Sequence, residues 1–214
     1  MLWVDTFTDY FTPEVGQAAV RVLEAAGYAV QITAEPVCCG LTWISTGQLD
    51  GARRQLRRSL RALGPALGDG IPVVGLEPSC TAVLRGEITE LLTGTRDWEP
   101  PDLGGVRAVA QPHCHHHAVM GWHADSALLV RAGAEVTAVG GCCGLAGNFG
   151  VERGHYDVSA AVAETALLPA VRAAGDAVVL ADGFSCRTQL DQLAGVSGTH
   201  LAQLLASRLA DPPA

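Results

Sequence analysis

Lysine is absent from the 214 residues, and all 14 basic side chains are arginine. Schiff-base chemistry, a lysine nucleophile and a P-loop lysine are thereby excluded. Aromatic residues make up only 5% of the chain and charged residues 17%, with 22 acidic side chains against 14 basic ones for a formal net charge of −8. Such a chain is a poor general binder of nucleic acid or of anionic lipid. Long apolar runs are missing as well. The longest uncharged glycine-rich stretch, 136–151, is too short and too rich in glycine to span a bilayer. The start, Met-Leu-Trp-Val-Asp, lacks the basic segment and apolar run of a secretory leader, so a cytoplasmic location is expected.

What is present is a core-forming composition, 49% hydrophobic, with 25 glycines, 11 prolines and seven cysteines. The apolar fraction argues against a disordered tail or a disulfide-stapled miniprotein. In a reducing compartment structural disulfides are rare, and an odd number of cysteines fits complete pairing badly. The cysteines need another reason to be there.

The sequence reads as one pattern written twice. In the first half, strand 2–4 and helix 13–26, closed by Gly27, precede strand 28–33 and the run Pro36-Val37-Cys38-Cys39-Gly40. A helix over 47–63, strand 71–76, the segment Glu77-Pro78-Ser79-Cys80 and a further helix follow. In the second half, strand 106–110 leads to Pro112-His113-Cys114, a helix from 118 ends at Gly133, and strand 135–139 leads to Gly141-Cys142-Cys143-Gly144. A helix over 156–173, strand 177–181 and Gly183-Phe184-Ser185-Cys186 complete it. The interval from the Cys-Cys pair to the next single Cys is 41 residues in the first half (39 to 80) and 43 in the second (143 to 186). Matching elements and intervals indicate duplication. The expected fold is α/β: two pseudo-symmetric parallel-sheet repeats, 1–98 and 105–214, each carrying its CCG motif at the C-terminal ends of strands, with a Pro- and Gly-rich linker over 97–105.

An adjacent Cys-Cys pair makes a strained disulfide but a good ligand pair for a metal or cluster. The glycine after each pair lets backbone N–H groups approach sulfur. The second half offers Cys114, Cys142, Cys143 and Cys186, and the first offers Cys38, Cys39 and Cys80. Iron–sulfur clusters and structural zinc both accept a four-cysteine set, so ligand count leaves both open.

These stretches resemble a known family. DTFTDYFTPE (5–14), PVCCGLTWISTG (36–47), GLEPSC (75–80), HCHHHAVMG (113–121), GCCGLAGNFG (141–150) and ADGFSCR (181–187) are similar to the cysteine-rich domain found in the B subunit of heterodisulfide reductase. The same domain occurs in glycolate oxidase iron–sulfur subunits, in the C subunit of anaerobic glycerol-3-phosphate dehydrogenase and in lactate-utilisation proteins. The resemblance is strongest to the C-terminal part of fused FAD-binding and iron–sulfur D-lactate or glycolate dehydrogenases. It implies an iron–sulfur centre, of 4Fe–4S type, that moves electrons, held by Cys114, Cys142, Cys143 and Cys186, with Cys38, Cys39 and Cys80 as a second set. In that family each unit holds a lead Cys, the CCG pair and a terminal CxxC. Here Thr6 stands at the first lead position, and Glu77 and Gly183 stand at the first Cys of each CxxC. Five-cysteine centres are not expected. The first set would hold a cluster with an open iron or with Glu77 as ligand, or none. The sequence shows neither a C-x-x-C-x-x-C run nor a G-x-G-x-x-G fingerprint. FAD is therefore expected only on a separate flavoprotein partner, a dehydrogenase of 2-hydroxy acids. Two alternatives stand beside this reading: a zinc-binding assembly module, and an enzyme taking a small-molecule substrate at an open first site.

Smaller features carry less. His113, His115, His116 and His117 surround Cys114, where imidazoles and a helix start would lower its pKa. His113 and His115, with Glu77, are the candidates for proton transfer, and packing is the equal alternative for both histidines. For His116 and His117 packing or solvent exposure is favoured. Arg53, Arg54, Arg57, Arg58 and Arg61 form a basic stripe whose like charges invite an acidic partner, with a plain solvated helix face as the default reading. Asn148, Phe149, Glu152, His155 and Tyr156 are expected beside the second CCG, shaping it or binding substrate, with packing as the equal alternative.

Overall fold

A computed structural model of the chain describes residues 1–84 and 99–209. The chain divides into two compact units, Met1–Glu99 and Pro100–Ala214.

In the first unit the order is β1 (Leu2–Trp3), α1 (Thr6–Tyr10), α2 (Pro13–Ala25), α3 (Leu41–Ser45), α4 (Leu49–Gly68), β2 (Val74–Gly75) and α5 (Pro78–Leu84). Strands β1 and β2 are parallel, with Leu2 opposite Val74 and Trp3 opposite Gly75. Leu2 and Trp3 are both buried, as expected of a parallel strand covered on both faces. Pro13 opens α2, where its missing N–H costs nothing. The helix closes with Gly27 donating to the Glu24 carbonyl and Tyr28 to that of Leu23, a Schellman motif with Gly27 at φ +81°. Helix α4 buries Ala52, Ser59, Leu63 and Ala66, one stripe at helical spacing, and turns its five arginines outward. Trp3, Val37, Cys39, Leu63 and Cys80 form the core of this unit.

The second unit runs β3 (Arg107–Ala110), a π-turn His116–Met120, α6 (His123–Arg131), β4 (Glu135–Ala138), a 3-10 turn Phe149–Val151, α7 (Tyr156–Ala163), α8 (Leu167–Ala173), β5 (Val178–Leu180), α9 (Phe184–Ala194) and α10 (Leu201–Ala206). Its three strands are parallel in the order β4–β3–β5, and Leu180 bridges onward to Thr199. Cys143, Leu145, Leu167, Val171, Val179, Ala181, Cys186 and Leu190 pack as its core.

The α/β class with parallel strands is as expected, and four local readings are corrected. The segment 28–33 is not a strand: only Ile32 makes a single bridge, to Leu2. The helix expected from 118 to 133 is interrupted at Gly121, whose φ of +74° and ψ of 160° no helix accommodates. The helix expected over 156–173 is two helices. Pro169 has no N–H for the Thr165 carbonyl and its ring crowds that turn, so the chain breaks between Ala163 and Leu167. Part of the expected linker is not free chain, since Leu103 is fully buried and its N–H donates to the Ala132 carbonyl. Linker residues 97–98 lie outside the described residues. Among the described residues no helix is long and apolar enough to cross a membrane.

Candidate functional site

Strand register aligns the two units residue by residue. Leu2 opposite Val74 in the first corresponds to Ala110 opposite Leu180 in the second. Four residues past the first member of each pair stand Thr6 and Cys114, and six past the second stand Cys80 and Cys186. The same offsets match Trp3 with Gln111, Asp5 with His113 and Glu77 with Gly183. The residues following parallel strands therefore gather at one edge within each unit, the edge where such sheets build sites.

All seven cysteines are free thiols. In the second unit Cys114, Cys142, Cys143 and Cys186 lie close enough to shift one another's acidity. In the first unit Cys39 Sγ lies 3.2 Å from Cys80 Sγ, and Cys38 and Cys39 shift one another's acidity. The second Cys of each pair and the terminal Cys are buried, whereas Cys38, Cys114 and Cys142 are partly open. The glycine after each pair donates its N–H to the first sulfur of the pair, Gly40 to Cys38 and Gly144 to Cys142, both at 3.4 Å. Both glycines have left-handed backbone, φ +78° and +93°. A Cβ on Gly144 would sit 2.1 Å from the Ser159 carbonyl oxygen, so this loop tolerates only glycine against α7. The first loop is tied down by Ser59, whose hydroxyl donates to the Cys38 carbonyl at 2.7 Å.

The electrostatics of the four thiols follow from their contacts. Hydrogen bonds from Cys114 and Cys143 hold Cys142 far below the usual thiol range, with the Gly144 N–H adding to them. The donors pay the opposite shift: Cys114, giving its proton to Cys142, and Cys143, bonded to Cys142 and Cys186, are pushed up, and burial raises both further. Cys39 behaves likewise. Its bond with Cys38 favours the thiolate but is outweighed by Cys80 and by burial, which push it up to about 12. Cys38 rises too, through Cys39 first and burial second. The expectation that histidines lower the Cys114 pKa is thus reversed, because the neighbouring Cys142 takes the charge. Among the described residues no group of three or more His, Cys, Asp or Glu donors is arranged to hold a metal ion as it stands.

Of the histidines, His113 is buried, and burial followed by repulsion from His115 lowers its pKa to about 4. The His115 backbone N–H donates to its Nδ1 at 3.2 Å, so the neutral ring carries its proton on Nε2, which lies 3.3 Å from Ser185 Oγ. Its ring also fills the space over Gly183, where a Cβ would come within 2.2 Å of His113 Cδ2. That contact explains why the second unit has no cysteine at 183. In the first unit the smaller Asp5 replaces the ring and position 77 carries Glu77. Buried Asp5 accepts from the N–H groups of Phe7 and Thr8, capping α1. Glu77 is also buried, and its Oε1 accepts from the Ser79 hydroxyl at 2.7 Å at the start of α5. His115 is half-buried, and its Nδ1 is buried with no hydrogen-bond partner. His116 packs on Trp122 and pairs with Asp125 at 2.6 Å, and His117 is exposed.

The segment after the second CCG forms its own network: Asn148 donates to Glu152, and Phe149 stacks on His155 with centroids 4.3 Å apart. In the arginine stripe Arg53 pairs with Asp50 at 2.8 Å and Arg58 with Glu35 at 3.1 Å, both exposed. Three residues escaped sequence reasoning. Ser185 meets His113, Ser59 anchors the first loop, and Gln111 ties β3 to the second loop by donating to the Gly141 carbonyl at 3.1 Å. No sequence pattern marks them, since each acts through a contact between segments distant in the chain.

Residues 6–85 match the family model CCG, described as "Cysteine-rich domain". Over 229 aligned residues the chain is 31% identical to the C subunit of anaerobic glycerol-3-phosphate dehydrogenase of Escherichia coli (strain K12), covering 95% of this chain and 57% of that protein. It is 28% identical to lactate utilization protein A of Bacillus velezensis, covering 71% of this chain and 74% of the relative. A 107-residue stretch is 33% identical to an uncharacterized iron–sulfur protein of Methanococcus maripaludis, covering 44% of this chain and 21% of that protein. The chain thus spans little more than half the length of the first of these relatives. No solved structure matches it. The first unit matches the CCG cysteine-rich domain, and nearly all of the chain is similar to the glycerol-3-phosphate dehydrogenase subunit.

Proposed function

We propose that the chain is an iron–sulfur component of an oxidoreductase, with a 4Fe–4S cluster held in the second unit by Cys114, Cys142, Cys143 and Cys186. The observation that carries this reading is the placement of four thiols that shift one another's acidity in the segments that follow the parallel strands of one sheet. The donor set fits the group by its chemistry: four cysteine thiols that oppose one another's ionisation would each be drawn to thiolate by a polynuclear cation. When bound, such a cluster supplies one-electron transfer.

The protein's own residues orient and seal that site. Gly144 presents an N–H to Cys142 in a loop fixed against Ser159. Gln111 ties the loop to the sheet. Neutral His113 fills the space over Gly183 and faces Ser185, next to the ligand Cys186. Buried Cys143 and Cys186 exclude water, and partly open Cys114 and Cys142 form the side from which electrons enter or leave. The names of the relatives, a glycerol-3-phosphate dehydrogenase component and a lactate utilization protein, support a dehydrogenase partner that oxidises a hydroxylated small metabolite. We assign that partner to the flavoprotein, 2-hydroxy acid class, with FAD on the partner. The domain boundaries of the two repeats, 1–98 and 105–214, belong to the same proposal.

The test is iron, acid-labile sulfide and electron paramagnetic resonance on anaerobically reconstituted full chain. Bound iron and sulfide with a reducible signal are expected, with that signal lost in C142S and C186S. Stoichiometric zinc without a redox signal would replace this reading with the structural zinc module.

A further inference from the structure

Two buried thiols of the first unit face each other. Cys39 and Cys80 are 2% and 4% exposed, and their Sγ atoms lie 3.2 Å apart. A disulfide needs the sulfurs about 1 Å closer. Cys39 sits in the first CCG loop and Cys80 in α5, so the contact joins segments 41 residues apart in the chain. The other thiol within reach of Cys39 is its neighbour Cys38, and an adjacent pair makes a strained bond. Cys80, on a separate element, is free of that constraint.

The surroundings suit a pair that stays uncharged. Both thiols pack with Trp3, Val37 and Leu63 in the core of the unit, where an isolated thiolate would be a buried charge. Cys39, with its pKa at about 12, stays a thiol at neutral pH. Oxidation to a disulfide removes two protons together with two electrons, so the core carries no charge before or after. Cys38 is partly open beside the pair, which makes the 38–40 loop the way in for a small oxidant.

We propose that Cys39 and Cys80 are a reversible redox pair, a dithiol that closes to an intramolecular disulfide by exchange with a small-molecule disulfide of the glutathione type. One protein sulfur attacks the S–S bond of the oxidant, forming a mixed disulfide and releasing one small thiol, which takes up the first proton. The second protein sulfur then displaces the other small thiol, which takes up the second proton. Two protein S–H bonds and one small-molecule S–S bond break, one protein S–S bond forms, and the oxidant leaves as two thiols. Disulfides inside cells are commonly of this transient, sensing kind. The closed bond fastens the first CCG loop to α5 around α3, α4 and β2, and it withdraws two of the three thiols of the first unit from any other ligand. The inference stands apart from the cluster assigned to the second unit.

The experiment is a titration of the metal-free full chain, under chelator, with mixtures of reduced and oxidised glutathione, followed by alkylation of the remaining thiols, trypsin digestion and mass spectrometry. Cleavage at arginine places Cys38 and Cys39 in peptide 22–53 and Cys80 in peptide 62–85. The oxidised chain is expected to yield these two peptides joined, and to yield them separately after dithiothreitol. C38S keeps the link, which assigns it to Cys39, whereas C39S and C80S lose it while circular dichroism shows the reduced variants folded. Closing the ring raises the Tm of wild type and C38S by about 5–10 °C and leaves that of C80S unmoved. Peptides that stay separate at every glutathione ratio overturn the proposal, as does a mixed disulfide with glutathione as the sole product. A link that survives in C39S moves the bond to Cys38 and overturns the pairing. If C39S/C80S halves the iron held by the anaerobically reconstituted chain, the first thiols hold metal and the redox pair fails, while the second-unit reading stands.

Discussion

Replacing Gly144 with alanine tests whether the second CCG loop is held by the packing described. Two costs combine. The residue has φ +93°, and left-handed backbone costs a non-glycine residue about 1–2 kcal/mol. The new methyl would also lie 2.1 Å from the Ser159 carbonyl oxygen and 3.0 Å from its carbon, contacts that lie on the backbone of α7. Gln189 holds that segment in turn, donating to Ser159 Oγ at 2.9 Å, so neither neighbour swings aside and overpacking adds about 1–3 kcal/mol. Gly147 is the matched control: it is left-handed at φ +72° but has nothing within 4 Å of its Cβ position, so G147A incurs only the backbone cost. At about 2–4 °C per kcal/mol for a chain of this size, G147A should lower the Tm by about 5 °C and G144A by about 10 °C. Calorimetry of the metal-free full chain in reducing buffer measures both. Variants that melt within about 2 °C of each other would refute the claim that contact with α7, rather than φ alone, demands glycine at 144.

Three further outcomes follow from single contacts. S59A removes the donor to the Cys38 carbonyl from a fully buried position, so urea unfolding should show a loss of about 1–3 kcal/mol. His113 has a folded pKa of about 4 against an ordinary 6.5, so the unfolded chain binds the extra proton between those values. Its contribution is intact above about pH 6.5 and is lost as pH falls to about 4, up to about 3 kcal/mol, and in the metal-free chain H113Q should show a correspondingly flatter stability curve across that window. E35A breaks an ion pair whose side chains are 49% and 70% exposed, so its unfolding free energy should stay within about 0.5 kcal/mol of wild type.

Much of this molecule follows from periodicity and from small residues at fixed places. The end of α2 at Gly27 was legible because only a residue at ease with positive φ closes a Schellman motif there. The outward stripe of α4 was legible from the spacing of its arginines. The strand expected over 28–33 failed because its apolar residues find only one backbone partner, at Leu2. The π-turn at 116–120 and the break before Leu167 depend on Gly121 and Pro169, whose local effects override apolar spacing.

The seven cysteines divide in the same way. Sequence by itself determined their grouping as three plus four, the duplication, and the glycine after each pair, because these are properties of order and interval. Only the tertiary structure decided that the His113 ring occupies the space over Gly183 and that Gln111 reaches the Gly141 carbonyl to tie the second CCG loop to the sheet. Each of these is a contact between segments far apart in the chain, brought together by strand register, and register is a relation between strands that no single stretch of residues encodes.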